Sequence, residues 1–187
     1  MMLLSGDQLP VGLDVVKPGP ALGLIGMTAC PSIAFRRASS RGSWVPSMEA
    51  DLDAIAEWKA AAVVTLLPNY EMKRLGVERL GEEVERRGMR WFQFPLVIMQ
   101  APDDEFEEQW GEQGEQIRQL LRHGQNVVLH CHGGLGRTGT IAARLLIEFG
   151  EEARAAIDKV RAARYGAIET REQEEYVLGL GKSRDSD

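Results

Sequence analysis

The stretch NVVLHCHGGLGRTG, residues 126–139, constrains the fold more than any other part of the sequence. Its first five residues are mostly apolar, which predicts a buried strand over residues 126–130. The glycines that follow predict a short loop, and a helix is predicted to begin at Thr138. A buried strand that passes through a short glycine-rich loop into a helix is typical of α/β proteins with a parallel sheet.

The rest of the chain repeats this alternation of short apolar strands and helices. Strands are predicted at residues 21–26, 62–67, 90–94 and 126–130, and helices at residues 48–60, 71–87, 138–149, 151–164 and 170–178, with a further helix whose apolar face carries Phe106, Trp110, Ile117, Leu120 and Leu121. The alternation predicts an α/β fold with a central, mostly parallel sheet that is flanked by helices. Ligands bind at the carboxyl ends of strands in such sheets, which is where the glycine-rich loop falls.

The domain organisation follows from composition and from the position of the breaks. The chain has 187 residues, of which 44% are hydrophobic and 27% charged, and this suits one globular domain. We expect a single domain over residues 21–180. Residues 1–20 are rich in proline and glycine and are predicted to be irregular, and residues 181–187 are predicted to be a disordered tail.

Charge and cysteine usage narrow the classes of partner and compartment. A net charge of −6 argues against nucleic acid or an anionic membrane as the main partner. No apolar run is long enough to span a bilayer, and we recognise no secretory signal, so we expect a cytoplasmic location. The two cysteines, Cys30 and Cys131, do not form a disulfide framework and are expected to stay reduced there.

Residues 131–137 are predicted to form an anion-binding cup, a phosphate-binding loop (P-loop), at the end of the last strand. Glycines let the loop curl so that successive backbone N–H groups converge, and the helix beyond adds its own N–H groups and its positive dipole end. Arg137 is expected to complete the cup, because a guanidinium binds two phosphate oxygens at once. The predicted phosphate-binding residues are His132, Gly133, Gly134, Leu135, Gly136 and Arg137.

Cys131 lies at the base of this predicted cup. The positive field of the cup favours the thiolate, which makes Cys131 the predicted nucleophile for in-line phosphoryl transfer through a phosphocysteine. Thr138 is placed to donate a hydrogen bond to the sulfur and to ease its departure in the second step. His130 is expected to orient the loop through hydrogen bonds and not to act as a base.

Each of these residues has a simpler explanation when it is taken alone. A cysteine that ends a buried strand is often an inert small hydrophobe, and histidines can be core residues. His130, Cys131 and His132 in succession suggest zinc, but consecutive strand residues alternate between faces, so the three side chains do not converge easily. We therefore predict that these residues bind no metal. The order and spacing H-C-x5-R-[ST] favour a phosphate-binding thiol site.

The string HCHGGLGRTG matches the signature of the cysteine-dependent protein tyrosine/dual-specificity phosphatase superfamily. Within it, the sequence most resembles the cyclin-dependent kinase inhibitor 3 (kinase-associated phosphatase) family, through LHCHGGLGRTG, the downstream GAIETREQEEY and the upstream ALGLIGMTACPS. The resemblance covers most of residues 21–180. It implies a dual-specificity phosphatase-like α/β fold, no metal or cofactor, and hydrolysis of phosphotyrosine, with phosphoserine and phosphothreonine as further candidates, in a phosphorylated protein or peptide.

One departure from the family concerns the general acid. The family supplies it as an aspartate three residues after a proline, on a mobile loop; that proline resembles Pro95 here, and Ile98 stands at the position of the aspartate. Asp103 is the first alternative, because it follows Pro102 as in the family, and Asp104 is the second. An aspartate pair that opens a helix is also a typical cap. The departure leaves open a phosphate-binding module with vestigial catalysis.

A second departure lies in GAIETREQEEY. The family often has glutamine at the position of Glu169 and a second glutamine at that of Gln173, both near the hydrolytic water. A carboxylate at Glu169 would either repel a phosphate or help to position water. Thr170 and Gln173 also fit a capping box that opens the last helix, so Gln173 has two candidate roles.

Three further hypotheses remain at the sequence level. The loop contains no lysine, unlike phosphatases that favour polyanionic inositol lipids, and this favours a phosphoprotein substrate. Arg36, Arg37 and Arg41 are candidates for the pocket wall, and Cys30 is either a resolving thiol for the catalytic cysteine or a buried structural residue. A sulfurtransferase of the rhodanese type is the remaining alternative class, because it also presents a cysteine in an anion-binding loop.

Overall fold

A five-stranded sheet forms the centre of the fold in the computed structural model, which describes residues 12–33 and 47–184. Its strands are β1 (Asp14–Val16), β2 (Ile25–Thr28), β3 (Ala60–Thr65), β4 (Arg90–Gln93) and β5 (Asn126–His130). Their order across the sheet is β1-β2-β5-β3-β4; β1 runs antiparallel to β2, and all other neighbours are parallel. The predicted α/β fold with a mostly parallel sheet is confirmed.

Seven helices are assigned in the described part of the chain. They are α1 (Met48–Glu57), α2 (Asn69–Leu75), α3 (Leu80–Arg86), α4 (Asp104–Arg122), α5 (Gly136–Glu148), α6 (Ala153–Ala163) and α7 (Arg171–Arg184). Helices α1 and α3 pack together and against β3 and β4, whereas α5, α6 and α7 pack together, with α5 against β2 and β5. Among the described helices, none combines the length and the apolar character that crossing a membrane requires.

Strand β5 is the buried middle of the sheet and positions the site. Val127, Val128 and Leu129 are fully buried between β2 and β3, and burial of each such side chain is worth ~1.5–3 kcal/mol. His130 lies level with Thr28 of β2 and with Thr65 of β3, so three parallel strands end together at this edge. Loops that leave these strands therefore meet next to Cys131.

Some predicted element bounds were wrong. Residues 14–16 form an edge strand within the segment that was predicted to be irregular; residues 1–11 of that segment lie outside the described residues. The helix predicted over residues 71–87 is two helices, because Gly76 adopts a left-handed conformation with φ of 68° and ends α2. The last helix reaches Arg184, so the predicted tail is helical over residues 181–184, and the three residues beyond are not described.

Two predicted strands were also shifted along the chain. The first was predicted at residues 21–26 and lies at residues 25–28, and the second was predicted at residues 62–67 and lies at residues 60–65. The strand at residues 126–130 was predicted with its correct bounds. Short apolar runs mark the presence of a buried strand better than its ends, because the apolar residues of adjoining turns are buried too.

Candidate active site

Cys131 follows β5 directly, and its side chain is 4% exposed. The backbone N–H of Gly134 donates a hydrogen bond to its Sγ atom over 3.2 Å. Because this N–H belongs to the loop that curls away from Cys131, the sulfur lies on the inner side of the loop. The structure thus places the predicted nucleophile at the base of the predicted cup, where the loop and the start of α5 come together.

Two glycines of the phosphate loop (residues 131–137) are closely packed. Gly134 has a φ of 71°, and a Cβ atom there would lie 2.3 Å from the carbonyl oxygen of Thr28. A Cβ atom on Gly136 would lie 2.5 Å from Oε2 of Glu169. Gly133, in contrast, has open space around the position of a Cβ atom. The loop is therefore pressed against β2 on one side and against Glu169 on the other.

The guanidinium of Arg137 is buried in an ion pair that the sequence analysis missed. It donates to both carboxylate oxygens of Glu71, over 2.8 Å and 3.0 Å, and to the carbonyl oxygen of Leu96 over 2.9 Å. Burial alone would lower the pKa of Arg137, but the hydrogen bonds with Glu71 and the negative charges of Cys131 and Glu71 outweigh it and raise that pKa. A permanent cation consequently stands beside the sulfur.

Glu71 escaped detection for a physical reason. An acidic residue in the first turn of a helix is normally explained by the helix dipole and by solvent. Glu71 is instead 1% exposed, because β3, which precedes α2, lies next to β5 in the sheet. Strand adjacency of this kind is not encoded in any local pattern of residues.

His130 is fully buried and both of its ring nitrogens have partners. Nδ1 lies 3.3 Å from the carbonyl oxygen of Cys131, and Nε2 lies 2.8 Å from the hydroxyl of Thr65. Burial, together with the charge of Arg137, lowers the pKa of His130 to about 4, so the ring is neutral at pH 7. A carbonyl can only accept, so we assign the proton to Nδ1, and Nε2 accepts from Thr65.

That hydroxyl in turn accepts a hydrogen bond from the indole N–H of Trp91 over 2.8 Å. Trp91 lies on β4, and Thr65 lies on β3. The chain of hydrogen bonds therefore runs across three strands and ends on the backbone of Cys131. This arrangement agrees with the predicted orienting role of His130, and that role stays a prediction.

The predicted hydrogen bond from Thr138 to the sulfur is not formed. Thr138 is fully buried in the first turn of α5, and its hydroxyl has no hydrogen-bond partner among the described residues. A buried hydroxyl without a partner is costly, by roughly 1–3 kcal/mol. Its assistance to Cys131 remains a hypothesis about a later state of the reaction.

The predicted acid residues lie on the surface at the start of α4. The side chain of Asp103 accepts the backbone N–H of Phe106 over 2.9 Å, so the capping interpretation is confirmed. Asp103 and Asp104 are both exposed, and within the described residues no hydrogen bond joins either of them to residues 131–137. Ile98 is 47% exposed on the loop that precedes them. The acid role of either aspartate stays a prediction.

Glu169 contacts the phosphate loop directly. Its Oε2 atom accepts the backbone N–H of Gly136 over 2.8 Å, so the carboxylate occupies one of the N–H groups that the cup was predicted to offer. Two arginine contacts hold the segment that carries it: Arg161 donates to the carbonyl oxygens of Ala167 and Ile168, over 3.1 Å and 3.0 Å. The carboxylate of Glu169 therefore faces the loop, and its two alternative roles, repulsion of a phosphate and positioning of water, stay predictions.

Gln173 is fully buried and forms the predicted capping box. Its backbone N–H donates to the hydroxyl of Thr170 over 3.1 Å, and its Oε1 atom accepts the N–H groups of Glu169 and Thr170 over 3.0 Å and 3.3 Å. Its Nε2 atom donates to the carbonyl oxygen of Gln100 over 3.2 Å. Gln173 therefore connects the segment that bears Glu169 to the loop that bears Ile98.

The remaining predicted residues lie around this centre. Cys30 is a fully buried free thiol; burial, followed by the charges of Cys131 and Asp51, raises its pKa to about 12, so it stays protonated. This agrees with a structural Cys30, and no finding tests a resolving role. The backbone carbonyl of His132, whose side chain is half-buried, accepts the N–H of Cys30 over 3.0 Å.

Two further predictions concern the arginines of the pocket wall and a bound metal. Arg36, Arg37 and Arg41, the proposed pocket wall, lie outside the described residues. Across residues 12–33 and 47–184, no group of three or more His, Cys, Asp or Glu side chains is arranged to hold a metal ion.

The fold and the site together define the class of the protein. An H-C-x5-R loop at the carboxyl end of the central parallel strand, with the sulfur inside its curl, is the site of a cysteine-dependent dual-specificity phosphatase. Residues 40–151 match the family described as "Polymorphic toxin system, DSP-PTPase phosphatase". This match covers more than half of the chain, and the chain belongs to that family.

Individual relatives agree with the family assignment. Cyclin-dependent kinase inhibitor 3 of Rattus norvegicus is 26% identical over 168 residues, which are 88% of this chain and 74% of the relative. The crystal structure of Tk-PTP in its active form has a TM-score of 0.65 at 29% identity and covers 90% of this chain and 97% of its own. The resemblance seen in the sequence is confirmed, and the chain is a cysteine-dependent protein phosphatase.

A third relative supports the fold alone. Kinase-associated phosphatase, solved with its catalytic-site cysteine substituted by serine, has a TM-score of 0.76 at 22% identity and covers 96% of this chain and 97% of its own. These relatives are phosphatases, and they give no support to the sulfurtransferase alternative.

Proposed function

We propose that the protein hydrolyses phosphotyrosine in phosphorylated proteins through a phosphocysteine at Cys131, with phosphoserine and phosphothreonine as further substrates. The observation that carries this proposal is the 3.2 Å hydrogen bond from Gly134 N–H to the Cys131 sulfur, beside the guanidinium of Arg137. Both groups direct positive charge at the sulfur, where the nucleophile of the proposed reaction carries its negative charge. The absence of lysine from residues 131–137 favours a phosphoprotein over a polyanionic lipid.

The first step transfers the phosphoryl group to sulfur. The thiolate attacks phosphorus in line, the bond from phosphorus to the substrate oxygen breaks, and the departing oxygen takes up a proton. The loop N–H groups and Arg137 stabilise the charge on the three phosphoryl oxygens. Asp103, or else Asp104, supplies the proton in this proposal, and Asp103 must then leave its cap on Phe106.

The second step releases phosphate. Water attacks phosphorus, the bond from sulfur to phosphorus breaks, and the thiolate is restored. We assign Glu169 to this step, because its carboxylate already accepts a backbone N–H of the loop, and there it can orient the water and take its proton. The Thr138 hydroxyl, which has no partner among the described residues, donates to the sulfur as it leaves. His130 and Gln173 support these groups.

Glu169 also makes the binding step distinctive. A bound phosphate competes with the carboxylate of Glu169 for the N–H of Gly136. Because both groups are anions and both approach the same N–H, they repel each other. Substitution of Glu169 by Gln is therefore expected to strengthen phosphate binding and to slow the release of phosphate from sulfur. This opposite effect on binding and on turnover distinguishes a catalytic Glu169 from one that only packs.

The test is the pH dependence of hydrolysis of p-nitrophenyl phosphate and of a phosphotyrosine peptide. Cys131→Ser is expected to lose both activities, and an acid residue is expected to matter more for the peptide, because its leaving group is poorer. Asp103→Asn, Asp104→Asn and Glu169→Gln are compared with the unchanged chain. Full peptide activity in Cys131→Ser would disprove the proposal.

Ile98 favours one second candidate, a phosphate-binding module that has lost most of its catalysis. In that case the purified chain binds a phosphotyrosine peptide tightly but hydrolyses it barely at all, and no aspartate substitution changes the rate.

We also propose that the protein acts in the cytoplasm, where its two free thiols would stay reduced.

A further inference from the structure

Arg164 reaches the outer side of the phosphate loop from the end of α6. Its Nε atom donates to the carbonyl oxygen of Gly134 over 2.6 Å, and its Nη2 atom donates to that of Gly133 over 3.2 Å. Its Nη1 atom pairs with Oδ2 of Asp14 over 2.6 Å and contacts the carbonyl oxygen of Gly12 over 3.4 Å. The side chain of Arg164 is only 14% exposed.

These contacts fix the direction of two peptide units. In a trans peptide, the C=O of one residue and the N–H of the next point in opposite directions. Because the carbonyl oxygens of Gly133 and Gly134 point outward to Arg164, the N–H groups of Gly134 and Leu135 point away from it, into the cup. The hydrogen bond from Gly134 N–H to the sulfur of Cys131 shows this inward direction.

A loop of this composition needs such a restraint. Gly133 and Gly134 are adjacent, and glycine loses more conformational freedom on ordering than any other residue. A Cβ atom at Gly133 would have no neighbour within 4 Å, so no side-chain contact restricts the conformation of this residue. A reversal of either peptide would turn a carbonyl dipole toward the bound anion and remove an N–H donor from it.

We propose that Arg164, itself held by Asp14 of β1, is a positioning residue for the phosphate loop. It keeps the loop N–H groups directed at the thiolate and at the phosphoryl group without touching either. The inference rests on the proposed function. It adds that β1, an edge strand near the start of the chain, contributes through Asp14 to the affinity of the cup for phosphate. Arg161, three residues earlier, holds the segment of Glu169 by similar bonds to carbonyl oxygens.

The test compares Arg164→Met, Arg164→Lys and Asp14→Asn in the full chain, with Arg154→Met as the matched control. Arg154 lies on α6 and pairs with Glu174, and within the described residues no hydrogen bond joins Arg154 to residues 131–137. Two quantities are measured: the inhibition constant of inorganic phosphate, and the pH midpoint at which iodoacetamide alkylates Cys131, read by mass spectrometry.

Arg164→Met is expected to weaken phosphate inhibition about tenfold and to move the alkylation midpoint to higher pH, because the hydrogen bonds of one charged group are lost. Arg164→Lys is expected to recover part of the affinity, and Asp14→Asn to lose less than Arg164→Met. Arg154→Met is expected to change neither quantity. Thermal unfolding of each variant reports separately on the fold.

The outcomes separate this inference from the proposed function. Unchanged phosphate inhibition and an unchanged alkylation midpoint in Arg164→Met would overturn the positioning role and leave the phosphatase mechanism intact. Full peptide hydrolysis by Cys131→Ser would overturn the mechanism, whatever Arg164 does. If Arg164→Met does not fold, Arg164→Lys and Asp14→Asn decide, and normal values in both would refute the inference.

Discussion

The phosphate loop and the loop over residues 95–103 meet at the site but are held very differently. In the phosphate loop, Gly134 N–H binds the sulfur, Arg164 binds two carbonyl oxygens, and Arg137 is buried against Glu71. The other loop exposes three apolar side chains in succession, those of Val97, Ile98 and Met99, by 42%, 47% and 51%. Hydrogen bonds to other segments flank these three residues: the carbonyl oxygens of Leu96 and Gln100 accept from Arg137 and Gln173, and the N–H of Ala101 donates to Glu172.

The difference separates two tasks of a phosphatase. Binding of phosphate and formation of the thiolate depend on groups that buried contacts fix in place. In the proposed mechanism, protonation of the leaving group depends on the segment that follows Ile98, next to three exposed apolar side chains. We infer that contacts of the folded chain already fix the groups for phosphate binding, whereas protonation of the leaving group can be changed by a single substitution.

The largest effect is expected for a substitution of Glu71, in the firmly held part of the site. Glu71→Ala removes the carboxylate that pairs with the buried Arg137 guanidinium, and breaking a buried pair costs about 3 kcal/mol or more. Denaturant unfolding measures the loss, and phosphate inhibition should weaken as well. Glu83→Ala is the matched control, because Glu83 is a 6%-exposed carboxylate paired with Arg87 in α3. Equal loss of phosphate affinity in both variants would contradict a specific role of Glu71.

The second prediction concerns His130 and the pH dependence of stability. The ordinary pKa of the histidine is 6.5, and burial in the fold lowers it to about 4. As the pH falls, His130 is therefore protonated in the unfolded chain before it is protonated in the folded one. Its contribution to stability is complete above pH 6.5 and is lost as the pH falls toward 4, by about 3 kcal/mol.

Denaturant unfolding at pH 7 and at pH 4 measures this loss for the unchanged chain and for His130→Gln. The variant has no imidazole to protonate, so its stability should fall less between the two pH values. Parallel curves for the two proteins would show that His130 is not buried in its neutral form.

The third prediction concerns Ile98, on the loop over residues 95–103. Ile98→Asp restores a carboxyl at the position where the family has its acid, and we expect the phosphotyrosine peptide to be hydrolysed roughly 10- to 100-fold faster, below the full ~10²–10⁴-fold value of acid catalysis. Hydrolysis of p-nitrophenyl phosphate should change little. Val97→Asp, at the neighbouring exposed position, is the control; an equal gain there would assign the effect to charge and not to position.

The smallest expected effect distinguishes a cap from an acid at Asp103. Asp103→Ala loses the hydrogen bond to Phe106 N–H and is expected to destabilise the protein by ~1 kcal/mol. Asp103→Asn keeps a capping oxygen but cannot donate a carboxyl proton. Normal stability with slower peptide hydrolysis in the Asn variant would identify Asp103 as the acid, and normal values of both would leave it as a cap alone.

The sequence was most informative where local pattern and tertiary position coincide. The apolar run NVVLH predicted the strand with its correct bounds, and the glycines after it predicted the loop that encloses the Cys131 sulfur. The capping boxes and caps of Thr170 and Asp103 were predicted too, because a cap involves residues only three apart.

Contacts between distant segments were not predictable from the same patterns. The pairs Glu71–Arg137 and Asp14–Arg164 join residues 66 and 150 positions apart. Glu71, Asp14 and Arg164 each resemble a solvated surface charge when taken alone, and it is the tertiary fold that brings the partners of each pair together. The break between α2 and α3 at Gly76 was missed for a different reason, since a single glycine within a helical pattern is often tolerated.

The central claim is that Cys131 carries the phosphoryl group, and the most direct measurement is acid quenching during turnover. The protein is mixed with excess phosphotyrosine peptide, quenched within the first turnovers and digested, and the peptide that contains Cys131 is examined by mass spectrometry. We predict a phosphoryl adduct on Cys131 that accumulates further in Glu169→Gln, because release of phosphate is slowed. Turnover at the normal rate with no adduct, or with the adduct on another residue, would contradict the account.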